Sequence, residues 1–483
     1  MFGAGVCGRF GSGVRWGVSG SAHEFGVGGS GLVKSVRVEY GVGFDGRVGG
    51  GGVADAERAA FRRELGVGVG GPVVMSGHQA GLWHAGILAK VVAMHALAKK
   101  TGGDACCAWV VVDQDETDVW AVGYPTQELK RGVWRLGPAP KSGVAVCEMG
   151  AVARFAGVPS DAHAGVRAGM EEMLAALRAG GVRDGESAAG QVTRAMGELV
   201  RARVGGEIGG SFRPFLASAI ARTGVFARVV GMMVADAERV VGAYNAAVRA
   251  VPRARMRALE VGNGRVELPL WRVGKDGVRG RVFADELKDG SVEGLLPRAL
   301  LMTLLLRAWG CECFVHGVGG GVYDRVTEMW NAGAFGFVLA PTVVATATAL
   351  VDFGATLGEE RLVSPEDVAH AKFAAQKARH HPGLVGDEVG QRERDALVAR
   401  IAGVEGRGRT QREERRRLYR ELSAVIERSR ARNAGAIAAL EERARAMGGE
   451  VGTSAVVLDR TYAWPMLGAG TVGELVGAVE SVV

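Results

Sequence analysis

The pattern of apolar and polar residues between positions 71 and 124 predicts a strand, a loop, a helix and a second strand. Val73 to Met75 is a short apolar run, a helix is expected from near Ala85 to Lys100, and Cys106 to Val112 is a second apolar run. In a parallel pair joined by a crossover helix, the polar ends of both strands lie at one edge of the sheet, where open α/β sheets bind ligands. We therefore expect one crevice to collect six polar side chains: His78, Gln79, His84, Asp113, Asp115 and Asp118.

A second stretch repeats this pattern further along the chain. Leu296 to Trp309 predicts a buried helix, Cys311 to His316 a strand, and Gly317 to Gly321 a glycine loop that leads into a helix. Two such units predict an α/β fold with a Rossmann-like, nucleotidyl-transferase-like core. Ahead of them, Val36 to Tyr40 alternates as a half-buried strand does, and Ala54 to Leu65 is typical of a short amphipathic helix.

Helical periodicity dominates residues 160 to 251. Apolar positions recur every three or four residues in three runs: Met170 to Arg178, Ser187 to Val204 and Arg228 to Val251. We expect these helices to cover the sheet or to form a substrate lid, as an insertion in a core domain of residues 54 to 360. Val266 to Trp271 is expected to be a strand of that core.

The composition becomes highly charged beyond Asp387, where coiled-coil spacing begins. Two stripes alternate at four and three residues: Leu418, Leu422, Val425, Ser429, Arg432 and Ala436, and the shorter Leu397, Ile401 and Val404. Because residues 403 to 410 can turn the chain, we predict an inserted antiparallel coiled-coil hairpin within residues 361 to 449 that makes the protein a homodimer. Ala455 to Leu458 is expected to be a strand in a C-terminal segment, 450 to 483, that returns to the core.

Composition narrows the class of protein. The 483 residues predict roughly two to four domains or subdomains. The net charge of +7 comes without a basic block interleaved with aromatic residues, so we expect no nucleic-acid partner. Glycine-rich residues 1 to 53 are assigned to a flexible extension, because they bury too little apolar surface. We expect no membrane span, and six scattered cysteines fit a cytoplasmic protein without a cysteine metal site.

The first glycine loop is a candidate binding surface. Glycines let the backbone approach an anion and the next helix offers unpaired amide donors, so a phosphate or a carboxylate is the expected occupant. The alternative is that the glycines serve only a tight turn. His78 and His84 either flank one site, where a histidine pair stabilises charge building on a phosphate, or pack against the sheet edge. The remaining loop residues expected to bind substrate are Ser76, Gly77, Gln79 and Gly81.

The other candidates are acids and a third histidine. Three acids lie at the end of the second strand: Asp113, Asp115 and Asp118. They could bind Mg²⁺, fix an ammonium group or act as a general base. The alternative is that they only cap a helix. His316 directly follows a predicted strand, and a core histidine would not need the permissive loop behind it, which favours a role in the site. The loop residues expected to bind substrate with it are Gly317, Gly319 and Gly320.

Three segments resemble the bacillithiol biosynthesis cysteine-adding enzyme family, also called cysteine ligases. Residues 76 to 82, Ser-Gly-His-Gln-Ala-Gly-Leu, are similar to its Thr-Gly-Gln-Gln-Ala-Gly-Leu-like loop. Residues 109 to 118 are similar to its Trp-Ile-x-x-Glu-Asp-His-Asp-x-x-Glu signature with one residue missing, and residues 297 to 301 with 315 to 320 resemble its helix, strand and Gly-Gly loop. The chain departs from the family pattern at four positions: His78, Gln114, Asp118 and His316.

The resemblance implies attachment of cysteine to the amine of glucosaminyl malate by a dimeric enzyme. In that scheme both glycine loops hold anionic groups, Asp113 and Asp115 hold an ammonium group or a metal, Gln114 contacts substrate, and His78 or His316 moves protons. Ligation needs an activated carboxyl, so ATP and Mg²⁺ are candidate cofactors, although the chain has no Walker loop. The alternatives are a nucleotidyl transferase acting on another small molecule and a non-catalytic coiled-coil scaffold.

Overall fold

The computed structural model describes residues 31–41, 55–101, 105–287, 289–354, 363, 365–406 and 408–483. Apart from residues 31–41, the extension predicted over residues 1 to 53 lies outside this part of the chain. The chain forms two compact units. Unit 1 comprises residues 1–126, 132–352 and 460–483, and unit 2 comprises residues 127–131 and 353–459.

The described residues form a mixed α/β protein. In chain order the strands are β1 (Val33–Tyr40), β2 (Val73–Gln79), β3 (Cys106–Val112), β4 (Ala121–Pro125), β5 (Arg131–Arg135), β6 (Pro214–Leu216), β7 (Val261–Gly262), β8 (Arg265–Val273), β9 (Arg279–Phe283), β10 (Leu295–Pro297), β11 (Cys313–His316) and β12 (Thr342–Ala349). The helices are α1 (Asp55–Glu64), α2 (Ala85–Thr101), α3 (Ala164–Arg178), α4 (Ala188–Arg203), α5 (Gly206–Ser211), α6 (Gly224–Ala235), α7 (Ala237–Ala250), α8 (Ala299–Leu305), α9 (Val318–Ala334), α10 (Pro365–Ala378), α11 (Glu388–Ala402), α12 (Arg409–Arg432), α13 (Ala434–Val457) and α14 (Ala469–Val482).

A six-stranded sheet lies at the centre of unit 1, in the order β1-β12-β11-β2-β3-β6. The pairs from β12 to β6 are parallel, and β1 pairs with β12 antiparallel. The parallel pairing of β2 with β3, from Val73 opposite Cys106 to Gln79 opposite Val112, confirms the first predicted unit. Because β11 pairs with the other side of β2, the carboxyl ends of β11, β2 and β3 are neighbours at one edge of the sheet.

Strand β3 and the first half of β2 are continuously apolar because both faces of the sheet are covered there, as in other parallel sheets. In β2 the residues from Val73 to Ser76 are fully buried, and in β3 Trp109 is fully buried. The crossover helix α2 is buried at almost every position from Ala85 to Ala98, and it packs on β2 and β12. A second antiparallel sheet orders β10, β8 and β7, with β9 paired to β8, which confirms the strand predicted over Val266 to Trp271.

Several predicted elements were wrong in type or extent. The glycine loop expected over Gly317 to Gly321 is reduced to Gly317, because α9 begins at Val318, and β2 extends beyond the expected Met75 to Gln79. The helix expected from Leu296 begins only at Ala299, because Leu295–Pro297 pairs with β8 as β10, and its last turn, Leu306–Gly310, is π-helical. The helix expected over Arg228 to Val251 is broken at Asp236 into α6 and α7. The strand expected over Ala455 to Leu458 is the end of α13, because a short apolar run has no periodicity that separates a strand from a buried helical turn.

Unit 2 is helical in its described residues. Helix α10 packs against α13, and α11 packs against α12. Leu397, Leu418 and Val425, three residues of the predicted stripes, form a small buried cluster between α11 and α12. Across all described parts of the chain, every helix is too short or too polar to cross a lipid bilayer.

Candidate functional site

A cavity of about 590 Å³ opens at the carboxyl ends of β2, β3 and β11. Helices α2 and α9 begin at this edge, and residues from both glycine loops line the cavity. The structure therefore brings together residues that are more than 200 positions apart in the sequence. The predicted site residues that line it are Gly77, His78, Gln79, His84, Asp115, His316, Gly317, Gly319 and Gly320.

Two of the predicted acids do not line the cavity. Asp113 is fully buried, and its carboxylate accepts hydrogen bonds from the Ser218 amide at 2.8 Å and the Ser218 hydroxyl at 2.6 Å. Burial raises the pKa of Asp113, and the Ser218 hydrogen bonds oppose that rise. Asp118 forms a 2.8 Å ion pair with Arg135 and accepts a hydrogen bond from the Trp120 amide. Both carboxylates are engaged in local contacts, Asp113 with the 3-10 turn that contains Ser218 and Asp118 with β5 and the residue before β4, rather than at the start of an α-helix.

Three further predicted residues also lie outside the cavity lining. Ser76 is fully buried and donates a 2.7 Å hydrogen bond to the Val315 carbonyl, which ties β2 to β11. Gln114 is fully buried, and its side-chain amide donates to the Met302 sulfur at 3.3 Å. Gly81 is the third. For Ser76 and Gln114, the expected direct substrate contacts are therefore replaced by buried contacts within the protein.

Gly77 allows β2 and β3 to approach closely at the cavity. A Cβ atom at this position would lie 2.2 Å from Val110 Cγ1 and 2.3 Å from the Val110 carbonyl oxygen. No side chain fits at such distances, so a glycine is needed here for strand pairing. Its carbonyl faces α2 and accepts a hydrogen bond from the Lys90 side chain.

His316 is held by a buried carboxylate and a buried arginine. Its Nε2 lies 3.1 Å from Asp324 Oδ2, and Arg307 Nη1 donates to the same oxygen at 2.7 Å. Arg307 also donates through Nε to the Ala340 carbonyl. Burial raises the pKa of Asp324, but the charges of His316 and Arg307 outweigh burial and hold it below its usual value. Asp324 is thus an anion that accepts a hydrogen bond from His316 Nε2, which leaves Nδ1 as the ring nitrogen outside this pair.

Sequence reasoning missed both residues that hold His316. Asp324 lies on α9, eight residues after His316, and no motif marks that spacing. Arg307 carried a signal, since it is a charged residue inside an otherwise apolar run, and such residues are rarely buried unless they are paired. It is 3% exposed and lies in the π-helical turn, a distortion that is frequent at functional sites.

The histidine pair of the first loop lines the cavity, and the two rings differ in their roles. Burial, with the nearby charge of Lys90, lowers the pKa of His78 to about 3, so this ring is neutral at physiological pH. His84 Nδ1 accepts a 3.1 Å hydrogen bond from the Gly86 amide at the start of α2. His84 therefore caps a helix and also faces the cavity.

Lys90 is a cavity residue that sequence reasoning did not identify. It lies on α2 between apolar neighbours, is 4% exposed, and lines the cavity. Its Nζ donates to the Gly77 carbonyl and lies 5.2 Å from the centre of the Trp109 ring. Burial lowers the pKa of Lys90 to about 7, so an amine that is normally charged is close to half-neutral. A lysine on the buried face of a predicted helix was the available signal.

Asp115 is the predicted acid that reaches the cavity. Its Oδ1 lies 3.4 Å from Arg279 Nη1, and Arg279 packs over the Trp271 ring at 4.9 Å. Burial raises the pKa of Asp115, while Arg279 and a hydrogen bond from Gln79 oppose the rise. The acid end of β3 therefore carries a carboxylate partly offset by an arginine.

The cavity places the amino terminus of α9 beside titratable side chains. The first amides of α9 have no intrahelical partners, and the helix dipole favours negative charge there. Gly319, in that first turn, has no heavy atom near its Cβ position, so the backbone is open to a ligand. Among the described side chains, no cluster of three or more His, Cys, Asp or Glu residues is placed to hold a metal ion.

Comparisons with known proteins leave the chain unassigned. No protein-family model matches it, and no curated protein matches it significantly in sequence. The geometry of the cavity and the three motif resemblances are thus the basis for assigning a function.

Proposed function

We propose that the protein is a ligase that forms a carbon–nitrogen bond on a Rossmann-like core. The bond joins the carboxyl of an amino acid, cysteine in the family that its motifs resemble, to the amine of an amino-sugar conjugate such as glucosaminyl malate. The observation that carries this proposal is His316, held by Asp324 and Arg307, beside the amino terminus of α9 in one cavity. Amide formation needs a proton-transfer group next to donors that stabilise negative oxygen, and this arrangement supplies both.

The cavity residues divide into three roles. Nδ1 of His316 exchanges a proton with the reacting groups, and the α9 amides from Val318 to Gly320 bind an anionic oxygen. Asp115 attracts a substrate ammonium group. His78 acts as a neutral hydrogen-bonding group, because a pKa of about 3 makes it too weak a base to move protons at pH 7.

ATP and Mg²⁺ are the cofactors proposed for carboxyl activation. The donor set fits phosphate, because the amino terminus of α9 faces the cavity and Gly319 in its first turn has open space at its Cβ position. When bound, ATP would supply the activating group for the carboxyl. Two carboxylates line the cavity, and that of Asp324 is hydrogen-bonded to His316 and Arg307. Asp115 is therefore the cavity carboxylate that remains to contact a metal ion. Mg²⁺ would therefore be held mainly by phosphate oxygens and water, as is usual for this ion.

Mass spectrometry of the protein incubated with cysteine and glucosaminyl malate tests the proposal. A product with the summed mass less one water, formed only with ATP and Mg²⁺, is expected. His316→Gln should reduce its formation by about 100-fold or more, the range for loss of an acid–base group. His95→Gln is the matched control, because His95 lies on α2 outside the cavity lining and bonds to Ser211. Absence of product from folded protein would refute the ligase.

A cytoplasmic homodimer is also proposed. All five cysteines in the described part of the chain are free thiols, which fits a reducing compartment. Leu397, Leu418 and Val425 pack α11 against α12 within one chain. The proposal that the hairpin also dimerises the protein is supported by the family that the motifs resemble. Light scattering of the intact protein and of a variant lacking residues 388 to 448 should show a dimer and a monomer respectively.

A nucleotidyl transferase is the second candidate, favoured by His78 and His84 lining one cavity. Such an enzyme would release pyrophosphate from ATP and its own small-molecule substrate without cysteine. Pyrophosphate release that is independent of cysteine, and lost in His84→Gln, would favour this candidate over the ligase.

A further inference from the structure

We propose that Lys90 is the group that takes the proton from the substrate ammonium group, so that the amine can attack the activated carboxyl. This inference rests on the proposed ligase function and adds a catalytic residue that no motif of the chain marks. An amine is mostly protonated at neutral pH and then has no lone pair for attack. A carbon–nitrogen ligase therefore needs a proton acceptor at its amine site.

The position of Lys90 suits this task. It lines the cavity from α2, and its Cδ lies 3.8 Å from the Cβ position of Gly317. Lys90 therefore lies between β2, which contains Gly77, and the start of α9. Its Nζ donates to the Gly77 carbonyl. A neutral amine keeps two N–H donors, so this hydrogen bond survives loss of the proton. Lys90 can thus change its charge without losing its hydrogen bond to the Gly77 carbonyl.

The surroundings of Lys90 favour the neutral form. Burial lowers its pKa to about 7, and no carboxylate of the described residues counteracts that effect. The glutamates packed near α2, Glu207 and Glu480, act instead on His95, five residues further along the helix. The titratable and charged groups that face the cavity with Lys90 are His78, His84, Asp115, His316, Tyr323, Asp324 and Arg460.

The proposed sequence is a proton transfer, bond formation and loss of a second proton. The first proton passes from the substrate ammonium to the lone pair of Lys90 Nζ, and the substrate nitrogen keeps its electron pair. That pair forms the new bond to the carbon of the activated acyl group, whose leaving group departs with its own bonding pair. The nitrogen, which is positively charged once this bond has formed, then loses its second proton to water and becomes the neutral amide. Lys90 then returns its proton to water in the cavity.

Competitive labelling with acetic anhydride from pH 5 to pH 11, read by peptide mass spectrometry, tests the amine without any substrate. Lys90 is expected to reach half its maximal reactivity near pH 7. Lys99 and Lys100 are internal controls for the labelling reaction, because they are exposed in the last turn of the same helix. Half-reactivity of Lys90 near pH 10, or no labelling at any pH, would overturn the proposal.

Kinetics of Lys90→Arg test the catalytic role. Arginine keeps a donor for the Gly77 carbonyl but stays charged, so kcat at pH 7 should fall about 100-fold. Activity should recover above pH 9, where the substrate amine loses its proton unaided. Wild-type activity of Lys90→Arg at pH 7 would refute the role. If the wild-type protein makes no product but Lys90 still reaches half its maximal labelling near pH 7, the ligase function and the catalytic role of Lys90 are refuted. The low pKa of Lys90 is then confirmed on its own.

Discussion

Replacing Gly320 by alanine is expected to displace His316, whereas the same change at Gly319 is not. Both glycines lie in the first turn of α9 and line the cavity, so they form a matched pair. A Cβ at residue 320 would lie 2.7 Å from His316 Nδ1 and 3.2 Å from its Cβ. At residue 319 no heavy atom lies within 4 Å of the Cβ position. The two substitutions therefore differ in whether the new methyl group meets the His316 side chain.

The magnitude follows from how firmly the imidazole is held. His316 is 8% exposed, packs on Phe314 with ring centres 4.6 Å apart, and bonds to Asp324. Because the ring cannot move aside freely, overpacking by one methyl group should cost about 1–3 kcal/mol. At Gly319 alanine only reduces the freedom of the unfolded chain, which stabilises by at most about 0.5–1 kcal/mol. The effect on the unfolded chain is common to both variants, so we expect their unfolding free energies to differ by the overpacking cost, about 1–3 kcal/mol.

Urea unfolding followed by tryptophan fluorescence measures this difference. Every tryptophan in the described residues belongs to unit 1, so the signal reports on the unit that contains α9. NMR of labelled histidine side chains should also show a changed His316 ring environment in Gly320→Ala and an unchanged one in Gly319→Ala. Equal midpoints for the two variants, with unchanged His316 signals in both, would refute the packing of His316 against α9.

Three further predictions concern an acid, a histidine and a leucine. Asp113→Asn should lower the unfolding free energy of unit 1 by about 1.5–3 kcal/mol in the same assay, because Ser218 loses a charged hydrogen-bond acceptor. An unchanged unfolding free energy would contradict the structural role of Asp113. The unfolded state binds a proton at His78 below pH 6.5, whereas the folded state binds it only near pH 3. The free energy of unfolding should therefore fall by up to about 1.4 kcal/mol per pH unit as the pH drops from 6.5 to 3. His78→Gln should remove the part of this pH dependence that is due to His78. Leu418→Ala should cost about 2–5 kcal/mol, measured as faster hydrogen exchange in α11 and α12 with unchanged tryptophan fluorescence.

The elements around the site were predictable because their signals are local. The predicted limits of β3 match the structure residue for residue, and α2 begins at the predicted Ala85. Apolar periodicity within a dozen residues was sufficient in both cases. The break at Asp236 and the strand β10 were missed, because pairing with β8 and the packing of α6 and α7 are not visible in periodicity.

The sequence by itself determined the two strand–loop–helix units and the edge of the sheet at which they meet. Only the tertiary structure decided which polar residues face the cavity. Asp113 and Asp115 are two residues apart, yet one is engaged by Ser218 and the other lines the cavity. The partners of His316 and the burial of Lys90 were likewise settled in three dimensions. The physical reason is that charge and protonation depend on burial and on contacts between distant residues, which spacing along a chain does not encode.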